Sequence, residues 1–143
     1  HRDFMHIFGN IMGYAFGVFA LSNSLYGRDI ALVFLISGAL SIGFAVLYSQ
    51  SSVIGASGGV FGLYGAVLSL SIGNLLFGKR RSDGLILWSF VILIVLAINI
   101  VTSFRSDVSM SGHLSGLVSG AIVVWLFRFI YPIFDASYRR YLE

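Results

Sequence analysis

The sequence contains no cysteine, and only 10% of its residues are charged. Without cysteine there is no disulfide, no thiolate nucleophile and no cysteine-ligated metal. So little charge excludes an ordinary soluble domain, in which about a quarter of the residues are Asp, Glu, Lys or Arg. Carboxylates are missing where they would matter most. The acidic residues are Asp3, Asp29, Asp83, Asp107, Asp135 and Glu143, and all lie in connections, at the edges of apolar runs or in the tail. That excludes paired-aspartate proteolysis, which needs two adjacent carboxylates. It also argues against a proton-coupled transporter built on an intramembrane acid. The H-E-x-x-H motif of zinc proteases is absent. The net charge of +3 is too small to imply a nucleic-acid partner.

What is present is long apolar sequence. Hydrophobic residues make up 57% of the chain, and the mean hydropathy is +0.92. A bilayer span needs roughly 20 mostly apolar residues, and five stretches qualify: 4–21, 30–49, 57–77, 85–103 and 110–131. Their connections are Ser22–Asp29, Gln50–Ala56, Gly78–Gly84 and Arg105–Ser109. Only helices or closed barrels satisfy the backbone in lipid, and these runs are too long and uniformly apolar for barrel strands. The expected fold is therefore all-α: a polytopic transmembrane bundle of five spans over residues 1–143, with no separate soluble domain. The chain opens His1-Arg2-Asp3, with neither an initiator Met nor a signal-peptide pattern, so upstream sequence is expected.

The basic residues orient the bundle. One side carries Arg28, Lys79, Arg80, Arg81, Arg128, Arg139 and Arg140, and the other only Arg2 and Arg105. Lys and Arg gather on the cytoplasmic side, so the first, third and fifth spans enter from the outer face. Near the starts of those spans lie His6 and Asn10, then Ser57, then His113. Polar side chains at such depth are costly unless paired or hydrated, so their convergence predicts a site.

With acids, thiols and the zinc motif removed, Ser plus His remains. A serine hydroxyl becomes a nucleophile when a base takes its proton, and His is the usual base. No intramembrane Asp is available to orient the ring, so the unit would be a dyad. Ser57 lies in Gly55-Ala56-Ser57-Gly58-Gly59, where glycine permits a sharp turn and close approach of a carbonyl. A helix starts at once, and its first N–H groups lack intrahelical partners. They could hold an oxyanion together with His6 and Asn10, which are four apart on one helix face; one such donor contributes about 2.7–4 kcal/mol. Glycines four apart, at Gly55/Gly59, Gly58/Gly62 and Gly112/Gly116/Gly120, let helix backbones touch. Gly9, Gly13 and Gly17 give the first span a similar strip.

Each feature alone has an ordinary reading. Serine in a membrane helix commonly bonds its own backbone, and glycine strips commonly serve packing alone. His6 could be a solvated edge residue. Nothing fixes the spacing of His1, His6 and His113 for a metal, so neither a metal nor a cofactor is expected.

Taken together, His1-x4-His6-x3-Asn10, Gly55-x-Ser57-Gly58 and His113-x2-Gly116-x3-Gly120 resemble the rhomboid signature in order and spacing, over nearly the whole chain. The resemblance implies the second to sixth transmembrane helices of that family, with the first helix and its outer loop absent. It implies Ser57 and His113 as catalytic dyad and an oxyanion site from the Ser57 N–H, His6 and Asn10. Gly55, Gly58, Phe61, Gly116 and Gly120 would shape the site, and Arg105–Ser109 would form a mobile cap over it. Phe61 departs from the Tyr that many members place against the catalytic His; it keeps the stacking surface and loses the hydroxyl. The implied activity is intramembrane serine endopeptidase, cutting transmembrane protein substrates near their outer ends after a small residue. The implied setting is the cell (inner) membrane, with the site opening to the extracytoplasmic side. The alternatives are a proteolytically inert rhomboid-like protein that binds transmembrane segments, and a channel or transporter. The intact Ser–His pair opposes the first. The lack of inverted repeats opposes the second.

Overall fold

The computed structural model describes residues 2–48, 56–77, 83–103 and 110–134. These form five helices: α1 (Arg2–Leu21), α2 (Gly27–Tyr48), α3 (Ser57–Phe77), α4 (Asp83–Ser103) and α5 (Met110–Phe134). No strand occurs among the described residues. The chain is an all-α bundle, as the long apolar runs dictate. Three helices are long and apolar enough to cross a membrane, over Gly27–Leu47, Ser57–Phe77 and Met110–Ile130. α1 and α4 have shorter apolar cores, His6–Leu21 and Gly84–Asn99. The protein is an integral membrane protein.

The helices match the expected spans closely, and the largest difference is at α2. It begins at Gly27, three residues before the expected start. The Tyr26 carbonyl accepts from the Asp29 N–H at 2.9 Å and the Ile30 N–H at 3.1 Å, so Tyr26 caps the helix. Asp29 thus lies in the first turn, where the helix dipole favours a carboxylate. It is fully buried, not in a loop, and faces Arg28 Nε at 3.4 Å.

α3 is the centre of the bundle. Its residues from Gly58 to Val67 are all buried, and the core around it includes Leu21, Val33, Leu63, Val67, Leu70, Ile92 and Val124. α2, α4 and α5 expose large apolar side chains such as Leu47, Ile94 and Phe129. In lipid that exposure costs little, and helix association rests on close packing and interhelical hydrogen bonds. The contacts fix direction. Gly58 and Gly62 of α3 meet Gly116 and Gly120 of α5 in the same order, so these helices are parallel. Ser41 and Ser37 of α2 meet Gly58 and Gly62 in reverse order, so α2 is antiparallel to both.

The connection from α1 to α2 is compact. The Ser24 and Leu25 N–H groups donate to the Leu21 carbonyl at 2.8 and 2.9 Å, and Ser22 Oγ donates to the Phe19 carbonyl at 2.8 Å. These bonds close off the carbonyls left without helical partners at the end of α1. Trp88 of α4 packs on Phe16 and Phe19 just before that turn.

Candidate active site

Ser57 is the first residue of α3. The Val60 N–H donates to the Ala56 carbonyl at 3.1 Å, the first bond of the helix. The N–H groups of Ser57, Gly58 and Gly59 therefore have no partner within the helix. Ser57 itself is half-buried, and the two glycines behind it are buried. A hydroxyl thus sits at the positive end of a helix dipole, beside a small array of N–H donors.

His113 enters from α5, in the first turn after Met110, and is also half-buried. Its ring lies flat on Phe61, with centroids 4.1 Å apart and planes 11° from parallel. Phe61 is one turn after Ser57, and helical side chains lean toward the N-terminus. The Phe61 ring therefore leans toward Ser57 and carries the imidazole on its face. Phe61 also meets Tyr64, with centroids 5.9 Å apart.

The backbone contact beneath this stack comes from glycine. A Cβ at Gly116 would strike the Gly58 carbonyl, and one at Gly120 would strike the Gly62 carbonyl. At Gly65 it would strike the Leu117 carbonyl. α2 supports the same place from the other side. A Cβ at Gly58 would meet Ser41 Oγ, and that hydroxyl donates to the Gly112 carbonyl at 2.6 Å. Gly112 immediately precedes His113, so the Ser41 bond pins the backbone that carries the imidazole. Ser115 Oγ donates to the same carbonyl at 3.0 Å.

α1 brings the remaining polar residues. A Cβ at Gly13 would lie 2.7 Å from Val60 Cγ1 and 2.8 Å from the Tyr64 hydroxyl, and one at Gly17 would lie 2.8 Å from Leu63 Cβ. These contacts seat α1 on α3. Gly9, by contrast, has nothing within 4 Å, so the strip expected along α1 works only at its two later positions. Asn10 is half-buried, and His6 is exposed. Ser57, His113, His6 and Asn10 thus come to one end of the bundle from three helices. Gly55, His1 and the Arg105–Ser109 segment lie outside the described residues.

A cavity of about 310 Å³ opens beside the imidazole. Phe61 and His113 line it with Leu96 and Asn99 of α4, and Met110, Ser111, Leu114 and Leu117 complete it. It is nearly all apolar, and Asn99 Nδ2 donates to the Val95 carbonyl at 2.8 Å. Neither this cavity nor the Ser41 contact was legible beforehand. Ser41 is one serine among many, and only its tertiary partner distinguishes it.

The arrangement offers a hydroxyl with N–H donors behind it, an imidazole held by stacking and an apolar cavity alongside. That set is chemically suited to acyl transfer, in which a nucleophile, a base and an oxyanion cradle must meet.

A family model described as "Rhomboid domain" matches residues 1–129. The chain is 29% identical to "RHOMBOID-like protein 1" of Arabidopsis thaliana over 128 residues, covering 89% of this chain and 32% of that protein. It is 30% identical to "RHOMBOID-like protein 6, mitochondrial" of the same plant over 87% of this chain and 41% of that protein. It is 32% identical to "Putative rhomboid protease YdcA" of Bacillus subtilis over 88% of this chain and 62% of that protein. The chain thus spans from a third to somewhat under two thirds of the length of these relatives. No solved structure matches it significantly.

Proposed function

Because this chain belongs to the rhomboid family, we propose that it is the core of an intramembrane serine endopeptidase, with Ser57 as nucleophile and His113 as base. The observation that carries this reading is the stack of His113 on Phe61, one turn from Ser57, above the Gly58–Gly116 contact.

His113 takes the Ser57 proton as Oγ attacks the carbonyl carbon of the scissile bond. The carbonyl oxygen becomes an oxyanion. The Ser57 N–H receives it, aided by Asn10 and His6 from α1. Such donors stabilise the transition state because they are already oriented before charge develops. Collapse of the tetrahedral species breaks the C–N bond, and His113 returns the proton to the leaving amine. Water, deprotonated by His113, then releases the acyl group from Ser57. Where other serine proteases use Asp to orient the ring, the Phe61 face and the Ser41-pinned backbone of Gly112 serve here.

The substrates are transmembrane segments of other proteins, cut near their outer ends where the helix can unwind. An intact helix buries its own peptide bonds, so local unfolding must precede attack. The cavity beside His113 suits an apolar side chain next to the scissile bond. The basic end of the bundle faces the cytoplasm, and the site opens to the extracytoplasmic side of the cell membrane.

The test is cleavage by the full-length protein reconstituted in vesicles with a model transmembrane substrate. Wild type should cut, and Ser57→Ala and His113→Ala should each abolish cutting. Equal cleavage by Ser57→Ala would reject the dyad. A fluorophosphonate probe should label wild type at Ser57 and leave Ser57→Ala unlabelled. Substrate retention without cleavage by wild type would instead favour an inert binding protein.

A further inference from the structure

α1 carries the two side chains proposed as oxyanion donors, and the contact that aims them lies one turn deeper. Asn10, Gly13, Gly17 and Ala20 recur at steps of three and four, so they share one face of the helix. That face meets α3: Gly17 sits on Leu63, and Gly13 sits on Val60 and Tyr64, in the same order along both helices. The same register carried one turn outward places Asn10 at the level of Ser57. Gly9 has nothing within 4 Å, so Gly13 is the outermost glycine that seats α1 on α3. The turn beyond it, which holds Asn10 and His6, is aimed by what Gly13 rests on.

Tyr64 gives that rest its shape. The residue is 3% exposed. Its hydroxyl oxygen lies 2.8 Å from the position a Gly13 Cβ would take, and Cζ lies 3.7 Å from it, so the phenol meets α1 end-on. Gly13 has no side chain, and backbone groups in mid-helix bond within the helix. The hydroxyl therefore bears on α1 through its volume. Burial and a second ring keep it from swinging aside: Phe61 lies beside it, with centroids 5.9 Å apart. Phe61 is in turn stacked on His113. A run of three rings thus extends from the imidazole to the α1 backbone.

We propose that Tyr64 is a positioning residue whose hydroxyl acts as a stop, setting how closely the outer end of α1, and with it Asn10, approaches Ser57. The inference rests on the reading of Ser57 and His113 as the dyad and of Asn10 as an oxyanion donor. A carboxamide stabilises an oxyanion only from hydrogen-bond distance of the place where charge develops. Closer in, Asn10 would crowd the scissile carbonyl; farther out, it would lose the bond. Tyr64 itself is seven residues after Ser57, about two turns, and touches no reacting atom. Tyr64→Phe keeps the ring and its contact with Phe61 and removes only the stop.

The experiment measures kcat and KM for the full-length protein in vesicles with the model transmembrane substrate, the labelling of Ser57 by a fluorophosphonate, and the thermal midpoint in detergent. Tyr64→Phe should lower kcat about tenfold, less than the roughly 10²-fold of a 1 Å misplacement, with KM and the midpoint unchanged. On the Asn10→Ala background the same change should cost less than about twofold, because residues that act through one another are not additive. Gly13→Ala should push α1 off the stop and lower kcat, and adding Tyr64→Phe should restore part of that loss by making room for the new Cβ. Wild-type kcat in Tyr64→Phe would overturn the proposal. So would an equal loss on the Asn10→Ala background, a loss confined to KM or matched by the midpoint, or a Gly13→Ala defect that Tyr64→Phe deepens. In each of those cases wild type still cuts and is still labelled at Ser57. Failure of the dyad reading looks different: Ser57→Ala then cuts as well as wild type, and the role of Tyr64 falls with it.

Discussion

Between Gly58 and Gly65, α3 is held to α5 by means opposite to those that hold it to α4. At the α5 seam, side chains are removed: Gly58, Gly62 and Gly65 face Gly116, Gly120 and the Leu117 backbone. At the α4 contact, side chains do the joining. Ser71 Oγ donates to the Leu85 carbonyl at 3.1 Å, and Ser71 and Ser89 share a 2.5 Å hydrogen bond. Trp88 adds an edge contact to Phe19 and a tilted one to Phe16 on α1. A glycine seam has no rotamers with which to absorb an added atom, and a hydroxyl contact loses only modest interactions when cut. The residues proposed for chemistry straddle the seam, and α4 contributes only a cavity wall. The bundle is least adjustable where its geometry matters most.

Substitutions can break this contrast. The largest effect is expected from Gly120→Val, which would drive a side chain into the Gly62 backbone. Overpacking of this kind costs about 3 kcal/mol. Thermal unfolding in detergent should show a large loss of stability, with activity lost in step. An unfolding midpoint near wild type would mean that the seam yields more easily than its contacts imply. Next is Asn10→Ala, which leaves the seam alone. The turnover number should fall by about 10²-fold or less, since the Ser57 N–H and His6 remain as donors, with stability nearly unchanged. An unaltered rate would remove Asn10 from the oxyanion role. Ser41→Ala cuts the bond to the Gly112 carbonyl and should cost about 1 kcal/mol. It should also lower turnover more than that loss of stability explains, because it frees the backbone under His113. A pure stability loss would make Ser41 a packing residue. Smallest, because turnover should not change, is Ser71→Ala at the α4 contact, which loses the bonds to Leu85 and Ser89 at about 0.6 kcal/mol each, the mean for interhelical hydrogen bonds in membranes. If it equalled Gly120→Val, the contrast between the two contacts would fail.

The difference between the contacts also explains what the sequence made legible. Glycines four apart favour a backbone approach, because they leave the least side chain in its way. The closeness of α3 and α5 could therefore be anticipated at Gly58, Gly62, Gly116 and Gly120. The five helices followed from apolar run length in the same way. Gly9 shows the limit: it has the spacing of Gly13 and Gly17 but meets nothing. A strip shows that a helix can be approached and leaves open how far along the approach extends. Serine carries less information still. Ser41 and Ser71 both make defining contacts, and nothing in their sequence neighbourhoods separates them from serines bonded to their own helix, such as Ser119 with the Ser115 carbonyl. The start of α2 moved because the cap is Tyr26, which has no capping side chain to announce it. The stack of His113 on Phe61 was anticipated from the family pattern. The wall formed by Leu96 and Asn99 required α4 to be placed in space.

One property of the α3–α5 seam reaches beyond packing. A helix advances about 1.5 Å and turns about 100° per residue. Sliding α5 by a single residue would lift the imidazole by that step and swing it away from Phe61. Displacements near 1 Å at a reacting centre cost about 10²-fold in rate. Carbonyls seated where glycines lack side chains act as detents on a ratchet, permitting only whole-turn jumps. The bundle thus converts a choice made in the main chain into the aim of a side chain, and leaves no intermediate setting in which the pair could half work.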